Sequence, residues 1–331
     1  MRVIIFGGAG FMGSNFVRYL INSWDDVQVL VYDKLTYAGR VENLVDIMDR
    51  IKFIRGDISD HDLLKDTLRG FQPDLIVNFA AETHVDRSIN DPAPFIKTNV
   101  LGVFTILETL RKFDVNSFIH ISTDEVYGDL WGKGVYADEL HILNPSSPYS
   151  ASKAAGDMLI MAYGRTYGVR YKIVRPSNNY GPYQHPEKLI PRTIIRFIIG
   201  KKAVIYGDGL QVRDWLYVDD FSRALDLAIR RGVHGEIYNV CAHNFASVKD
   251  IVLKLAEIMG KDPYEDVVRV KGRPGEDRMY AMRCDKIKTL GWEPLIGLNE
   301  GLRKTVEWYI ANEWWWKSLL VDTYVSGDEP W

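Results

Sequence analysis

Three features of the sequence predict an α/β fold: a doubly wound parallel sheet with a smaller mixed C-terminal lobe. Six short runs are apolar, helical patterns lie between them, and a glycine-rich turn follows the first run. The runs are RVIIF (2–6), VQVLVYD (27–33), IKFIRGD (51–57), LIVNFAA (75–81), SFIHIS (117–122) and YKIVRPS (171–177). Continuously apolar strands need cover on both faces, and helices between them imply parallel pairing. GSNFVRYLINS, DHDLLKDTLRG and KTNVLGVFTILETLRKF supply those helices by their apolar spacing.

Composition bounds the function. The 331 residues are 47% hydrophobic and 26% charged, ordinary soluble material. The 41 basic residues are outnumbered by 44 acidic ones, a formal charge of −3 that argues against nucleic-acid binding. No apolar run approaches the roughly 20 residues needed to span a bilayer, and the chain opens directly on a strand with no leader pattern. A cytoplasmic protein is expected. Cys241 and Cys284 are too few and too far apart for a disulfide framework or a zinc cluster. They read as inert residues in a reducing compartment, and no metal site is expected.

The turn VIIFGGAGFMGS places Gly7, Gly10 and Gly13 between the first strand and the first helix. Glycines there allow a tight turn and a close approach to a pyrophosphate, which the helix N-terminus then faces. Asp33 ends the second strand twenty residues after Gly13, where a carboxylate can accept hydrogen bonds from an adenosine ribose. It would repel a 2′-phosphate, so NAD is expected over NADP, although Lys34 lies beside it. Asp57 and Ile58, at the third strand end, are placed around the adenine. The first region is therefore read as a Rossmann-like dinucleotide-binding domain over 1–178, rejoined by about 211–241. NNYGPYQHPEKLIP (178–191) breaks the strand–helix rhythm. Residues 179–210 and 242–331 are assigned to the second lobe, with helical spacing over 248–260 and 298–316 and a frayed tail, VSGDEPW.

NPSSPYSASKAAGDM opens a helix that Ser147 can cap and Pro148 can begin. Tyr149 and Lys153 lie four apart, on one helical face. A free phenol has a pKa of about 10, so Tyr149 needs a nearby cation to act as a base, and Lys153 can supply it or hold the nicotinamide ribose. Thr123, in the strand end FIHISTDEVYG, can hydrogen-bond the phenol. Asp124 and Glu125 follow it, two adjacent carboxylates at the mouth of a buried strand.

These motifs resemble the extended branch of the short-chain dehydrogenase/reductase superfamily, and within it the dTDP-glucose 4,6-dehydratase family. YDKLTYAG (32–39), AAETHVDRSI (80–89), STDEVYG (122–128), PYSASKA (148–154), RPSNNYGPYQ (175–184), EKLIP (187–191), GDGLQVRDWLYVDD (207–220) and GRPGEDRMYA (272–281) carry the likeness. The resemblance implies a catalytic set of Thr123, Asp124, Glu125, Tyr149 and Lys153, with Glu125 as the base at sugar C5 and Asp124 as the acid at the C6 hydroxyl. It implies a cofactor cradle that adds Phe11, Met12, Thr36, Ala80 and Thr98 to the residues above. It implies contacts to a nucleotide-sugar substrate from His84, Thr123, Asn178, Lys188, Leu189, Arg213, Asn244, Arg273 and Arg278, with Asn179 an alternative to Asn178 and Arg87 beside His84. A homodimer through helices starting near Thr98 and Ser152 is expected on the same ground. Glu276, Met279 and Phe245 depart from the family pattern on the nucleotide side, which leaves dTDP-, UDP- and CDP-glucose open. A sugar-nucleotide 4-epimerase or decarboxylase, or a non-catalytic NAD-binding regulator, are the other readings.

Overall fold

The computed structural model describes residues 1–272, 276–322 and 327. Twelve strands occur among them: β1 (Arg2–Phe6), β2 (Gln28–Asp33), β3 (Lys52–Arg55), β4 (Leu75–Asn78), β5 (Ser117–Ile121), β6 (Tyr171–Pro176), β7 (Asn178–Tyr180), β8 (Ala203–Tyr206), β9 (Val212–Tyr217), β10 (Glu236–Val240), β11 (Phe245–Ser247) and β12 (Val267–Val270). Seven of them form the main sheet in the order β10-β6-β5-β4-β1-β2-β3, every pair parallel. The six predicted strands are all present, and β10 adds a seventh. Two apolar clusters sandwich this sheet. Val3, Ile5, Val31 and Val77 face one, while Ile4, Phe6, Leu30 and Ile76 face the other, the alternation that a pleated strand imposes.

The order reverses between β1 and β4, where the chain leaves one half of the sheet for the other. Ligands of open α/β sheets sit outside the strand ends at such a point. Outside the main sheet are a three-stranded sheet, β11-β9-β7, and a two-stranded one, β12-β8; β9 pairs there although it falls in the stretch 211–241 assigned to the first domain. A separate apolar cluster holds the second lobe together, with Ile190, Ile194, Leu255, Leu302, Tyr309, Trp315 and Trp316 buried in it. The aromatic-rich end of the helix Leu298–Ala311 and the turn Glu313–Trp316 thus serve packing.

One expectation is overturned. Cys241, directly after β10, and Cys284, before the helix Asp285–Thr289, lie 5.9 Å apart at their Cα atoms and are joined in a disulfide. Separation in sequence misled because the chain leaves the main sheet after β10, builds part of the second lobe, and returns to the same place. His243 adjoins the pair, its Nε2 3.3 Å from the Cys241 sulfur. The ligand atoms of these three residues lie within 4.8 Å of one another, but the disulfide engages both sulfurs. The tail reading falls on residues outside those described, apart from Gly327. No helix among the described residues is long and apolar enough to cross a membrane.

The disulfide closes a 43-residue excursion. By loop-closure entropy such a link contributes about 4 kcal/mol. Thiol reductant is therefore expected to lower the thermal midpoint by several degrees, whereas a Cys284→Ser variant melts at that lower temperature with or without reductant. A midpoint indifferent to both treatments would contradict it.

Candidate active site

The glycine turn is built as its sequence requires. Gly7 has a φ of +71°, and a Cβ there would sit 2.5 Å from the Ala80 nitrogen. A Cβ on Gly13 would meet the Gly7 carbonyl oxygen at 2.3 Å, so the helix Phe11–Ser23 could not close on β1. No side chain caps this helix, which leaves its first N–H groups directed at the cavity. That cavity is lined by Gly7, Gly10, Phe11, Met12, Gly13, Asp33, Lys34, Thr36, Asp57, Ile58, Ala80, Thr98, Tyr149 and Lys153, every residue expected of the cofactor cradle. Asp33 is buried and accepts from the N–H groups of Ala9 (2.9 Å) and Leu35 (2.8 Å). Burial pushes its carboxyl up despite those bonds. Lys34 pairs with Asp57 at 2.8 Å, so its cation is already matched.

Past β5 the chain turns sharply. Thr123 caps a short 3₁₀ turn, Asp124–Tyr127, by accepting from the Glu125 N–H at 3.3 Å. Gly128 ends it with a φ of +73°, where a Cβ would collide with the Asn144 carbonyl at 1.9 Å. The turn sends the two carboxylates different ways. Asp124 is buried, accepting from Thr123 Oγ1 at 3.2 Å, while Glu125 is half-buried and borders two cavities. Burial and then the Glu125 charge push the Asp124 carboxyl well above the usual carboxylate range. Tyr280 Oη lies 3.5 Å from Glu125 Oε2 and donates to Asp277 at 2.8 Å.

Tyr149 and Lys153 lie on the helix Pro148–Tyr167, whose start carries a full Ser147/Ser150 capping box with Pro148 in the first turn. Both side chains are buried. Burial, and next the Glu125 charge, raise the Tyr149 phenol, while its hydrogen bond with Thr123 lowers it. Lys153 differs from expectation: Nζ donates to the Ile121 carbonyl at 2.7 Å and lies 3.4 Å from His120 Nε2, and it does not figure among the groups that lower the phenol. Burial brings this lysine down to about 8. His120 in turn meets Asn78 at 3.1 Å, and burial together with the Lys153 charge holds it neutral.

A second cavity shares Thr83, Glu125, Asn178, Asn179, Gln184, Glu187 and Lys188 with the first. Of the expected substrate contacts, His84, Asn178, Lys188, Leu189 and Arg213 line it. Arg213 spans the Val212 and Asp277 carbonyls and lies 4.2 Å over the Tyr280 ring. Lys188 Nζ donates to the Thr83 carbonyl at 3.0 Å. Asn244 and Arg278 line neither cavity. Asn244 braces β9, taking up Asp214 with its N–H and donating to the Trp215 carbonyl, and Arg278 is tied to both oxygens of Asp208. Thr123 lines the first cavity, and Arg273 lies outside the described residues. Arg87 orders the site from behind, bonded to Glu187 (3.3 Å) and Asp322 (2.8 Å) and stacked on Tyr37. Sequence reasoning missed Thr83, Gln184, Arg192, Gln211 and Tyr280. Gln184, Gln211 and Tyr280 stood inside motif segments, but nothing in the apolar spacing of the helix Leu189–Ile198 set Arg192 apart.

The family model described as GDP-mannose 4,6 dehydratase matches residues 4–305. The chain is 45% identical to the dTDP-glucose 4,6-dehydratase of Neisseria meningitidis over 98% of its own length and 97% of the relative's. It is 44% identical to a probable dTDP-glucose 4,6-dehydratase of Sinorhizobium fredii, over 99% and 98%. Among solved structures it superposes with a TM-score of 0.93 on DesIV, a dTDP-glucose 4,6-dehydratase of Streptomyces venezuelae with NAD and TYD bound, at 42% identity and covering 96% of this chain and 100% of that one. The UDP-glucose 4-epimerase of Thermotoga maritima, solved with UDP-glucose, gives 0.88 at 34% identity over 95% and 100%. With matches that run nearly end to end on both sides, the chain belongs to the dTDP-glucose 4,6-dehydratase family.

Proposed function

We propose that the protein binds NAD and converts dTDP-glucose to its 4-keto-6-deoxy product. The observation that carries this reading is the placement of Asp124 and Glu125: Glu125 borders both cavities, and both carboxyls line the cavity that holds Tyr149 and Lys153. An epimerase leaves the C6 hydroxyl in place and has no use for such a pair. The uncapped helix terminus, the bare glycine turn and the buried Asp33 fit a dinucleotide. When bound, NAD accepts hydride from sugar C4 and later returns it to C6.

The side chains divide the proton work. Tyr149, held by Thr123, takes the proton of the C4 hydroxyl. Its phenol lies high in the protein alone, so it needs cationic support, which Lys153 supplies while it keeps its own proton. Once C4 is a ketone, the C5 proton is acidic. Glu125 removes it, and Asp124, protonated because burial and its neighbour disfavour a second charge, delivers a proton to the departing C6 oxygen. Arg213 and Lys188 hold the diphosphate, and Asn178 holds the sugar.

A homodimer and a cytoplasmic setting belong to the same proposal. Ile96, Leu101, Phe104 and Met158 are exposed on the two helical stretches around Asn99 and Ser152, an apolar face suited to a second copy.

Incubation with dTDP-glucose is expected to yield a product lighter by one water in mass spectrometry. An unchanged mass with altered stereochemistry would favour epimerisation instead. Tyr149→Phe is expected to lower turnover by about 10²–10⁴-fold with no reduced-nicotinamide absorbance. Glu125→Gln should lose water at a similarly reduced rate while that absorbance builds up; normal dehydration by this variant would remove Glu125 as the base. Because Lys153 is cationic only below about pH 8, kcat/KM is expected to fall as pH rises through that value. A profile flat to pH 10 would exclude a role for its charge.

A further inference from the structure

Resting on the reaction proposed above, we propose that His120 is a positioning residue: it directs a ring N–H at the Lys153 amine and so sets how readily that amine keeps its proton. His120 lies on β5 and Lys153 on the helix Pro148–Tyr167, and both are buried. Lys153 lines the cofactor cavity, whereas His120 lines neither cavity. The ring can therefore act on the reaction only through a neighbour.

A chain of donors decides which ring nitrogen carries the proton. The Ala80 N–H donates to Asn78 Oδ1 at 3.1 Å. A backbone N–H cannot bond to an amide NH2, so this contact fixes the orientation of the Asn78 side chain. Its Nδ2 is then the atom 3.1 Å from His120 Nδ1. An amide nitrogen only donates, so Nδ1 must accept and carries no proton. The single proton of the neutral ring therefore sits on Nε2. Burial and the charges of Lys153 and Arg175 keep the ring from taking a second one. Nε2 lies 3.4 Å from Lys153 Nζ and 3.9 Å from Asp157 Oδ1.

A donor in that position tells the two states of the lysine apart. The ammonium has only donors; it keeps its bond to the Ile121 carbonyl at 2.7 Å but meets Nε2–H donor against donor. The free amine has a lone pair, which Nε2–H can engage. The ring thus favours loss of the lysine proton, in the same sense as burial does. Around the pair stand Asp157 and Tyr149 on the lysine's own helix, Arg175 on β6, and Asp124 and Glu125 on the turn after β5, while β4 contributes the neutral Asn78. Of these charges, that of Asp157 acts on Lys153, and it favours the ammonium. With the amine charged, Nε2–H has the Asp157 Oδ1 atom to turn to, since Arg175 and Ser122 both bond to Oδ2. His120 and Asp157 therefore pull the lysine in opposite directions, and their balance sets the pH above which Tyr149 loses its cationic support.

The test uses the NAD-loaded protein. NMR of isotope-labelled histidine is expected to show His120 of the wild type as the Nε2–H tautomer on both sides of neutrality. A proton on Nδ1, or an imidazolium, overturns the proposal whatever the activity. His120→Phe deletes the donor and keeps the space apolar, and His120→Gln supplies an amide oxygen that can accept from the ammonium. Loss of the N–H should move the alkaline limb of kcat/KM up by about one pH unit in both variants. Burial acting alone would hold the limb in place or lower it in His120→Phe. The same upward shift is expected in the titration of the Lys153 Cε signal, which does not depend on turnover. A lower rate at every pH, with limb and titration unmoved, would reduce His120 to packing and overturn the proposal. Should His120→Phe fail to fold, the wild-type spectrum and His120→Gln still decide. The tautomer and the titration shift found together, in a protein that does not dehydrate dTDP-glucose, would fault the proposed reaction and leave the coupling of ring and lysine standing.

Discussion

The candidate site depends on one buried ion pair. Asp157, on the third turn of the helix Pro148–Tyr167, accepts from Arg175 Nε at 2.9 Å and from Ser122 Oγ at 3.0 Å. Arg175 comes from β6 and also donates to the Tyr127 hydroxyl at 2.8 Å, which in turn donates to Asn239 on β10. Three adjacent strands, the turn that carries both carboxyls and the helix that carries Tyr149 and Lys153 are therefore pinned to one another. All the ion-pair partners are essentially inaccessible to water. Such a pair earns its place by fixing geometry more than by adding stability, since its desolvation offsets much of the attraction. What it fixes here is the gap between a phenol on a helix and two carboxyls on the turn that follows a strand.

Close backbone packing makes the same gap reproducible. The helix Pro148–Tyr167 lies so near its neighbour that a Cβ on Gly156 would stand 2.9 Å from the Asn99 carbonyl. Asn99 then ties Glu82, through both its N–H and its carbonyl, to the Ser152 hydroxyl. A shift of that helix would disturb the β4 end and the Tyr149 side of the cavity together. Catalysis by orientation is sensitive to displacements of about 1 Å, and interlocks of this kind resist them.

Legibility in the sequence followed the range of the interactions. The six parallel strands, the glycine turn, the capped helix and the Tyr149–Lys153 face are set by local spacing and were readable. The roles of Asp124 and Glu125 were less so. Their adjacency is visible, but that the turn buries one and leaves the other at the cavity follows from Gly128 packed on Asn144 and from distant residues such as Tyr280. Cys241 and Cys284 look unrelated because their meeting depends on the path of an entire lobe. Arg278 sits in a motif segment and Asn244 was implied by the resemblance, yet Asp208 and Asp214, 70 and 30 residues away in sequence, claim them. Arg192 reads as one polar residue on a packing helix; only the assembled fold places it in the cavity wall.

The asymmetry between the two carboxyls has a further physical consequence. Two acids in one environment would share a single average proton, and neither would be a committed donor or acceptor. Here the shorter side chain lies under the turn, where desolvation disfavours its charge, and the longer one reaches half-buried into the cavity beside Tyr280. The Glu125 charge adds to that desolvation in raising Asp124. The Glu125 charge also raises the Tyr149 phenol. The Thr123 hydroxyl opposes that effect. Asp124, Glu125 and Tyr149 are thus coupled through charge, and Thr123, touching Asp124, the Glu125 N–H and Tyr149, is the residue on which the coupling converges.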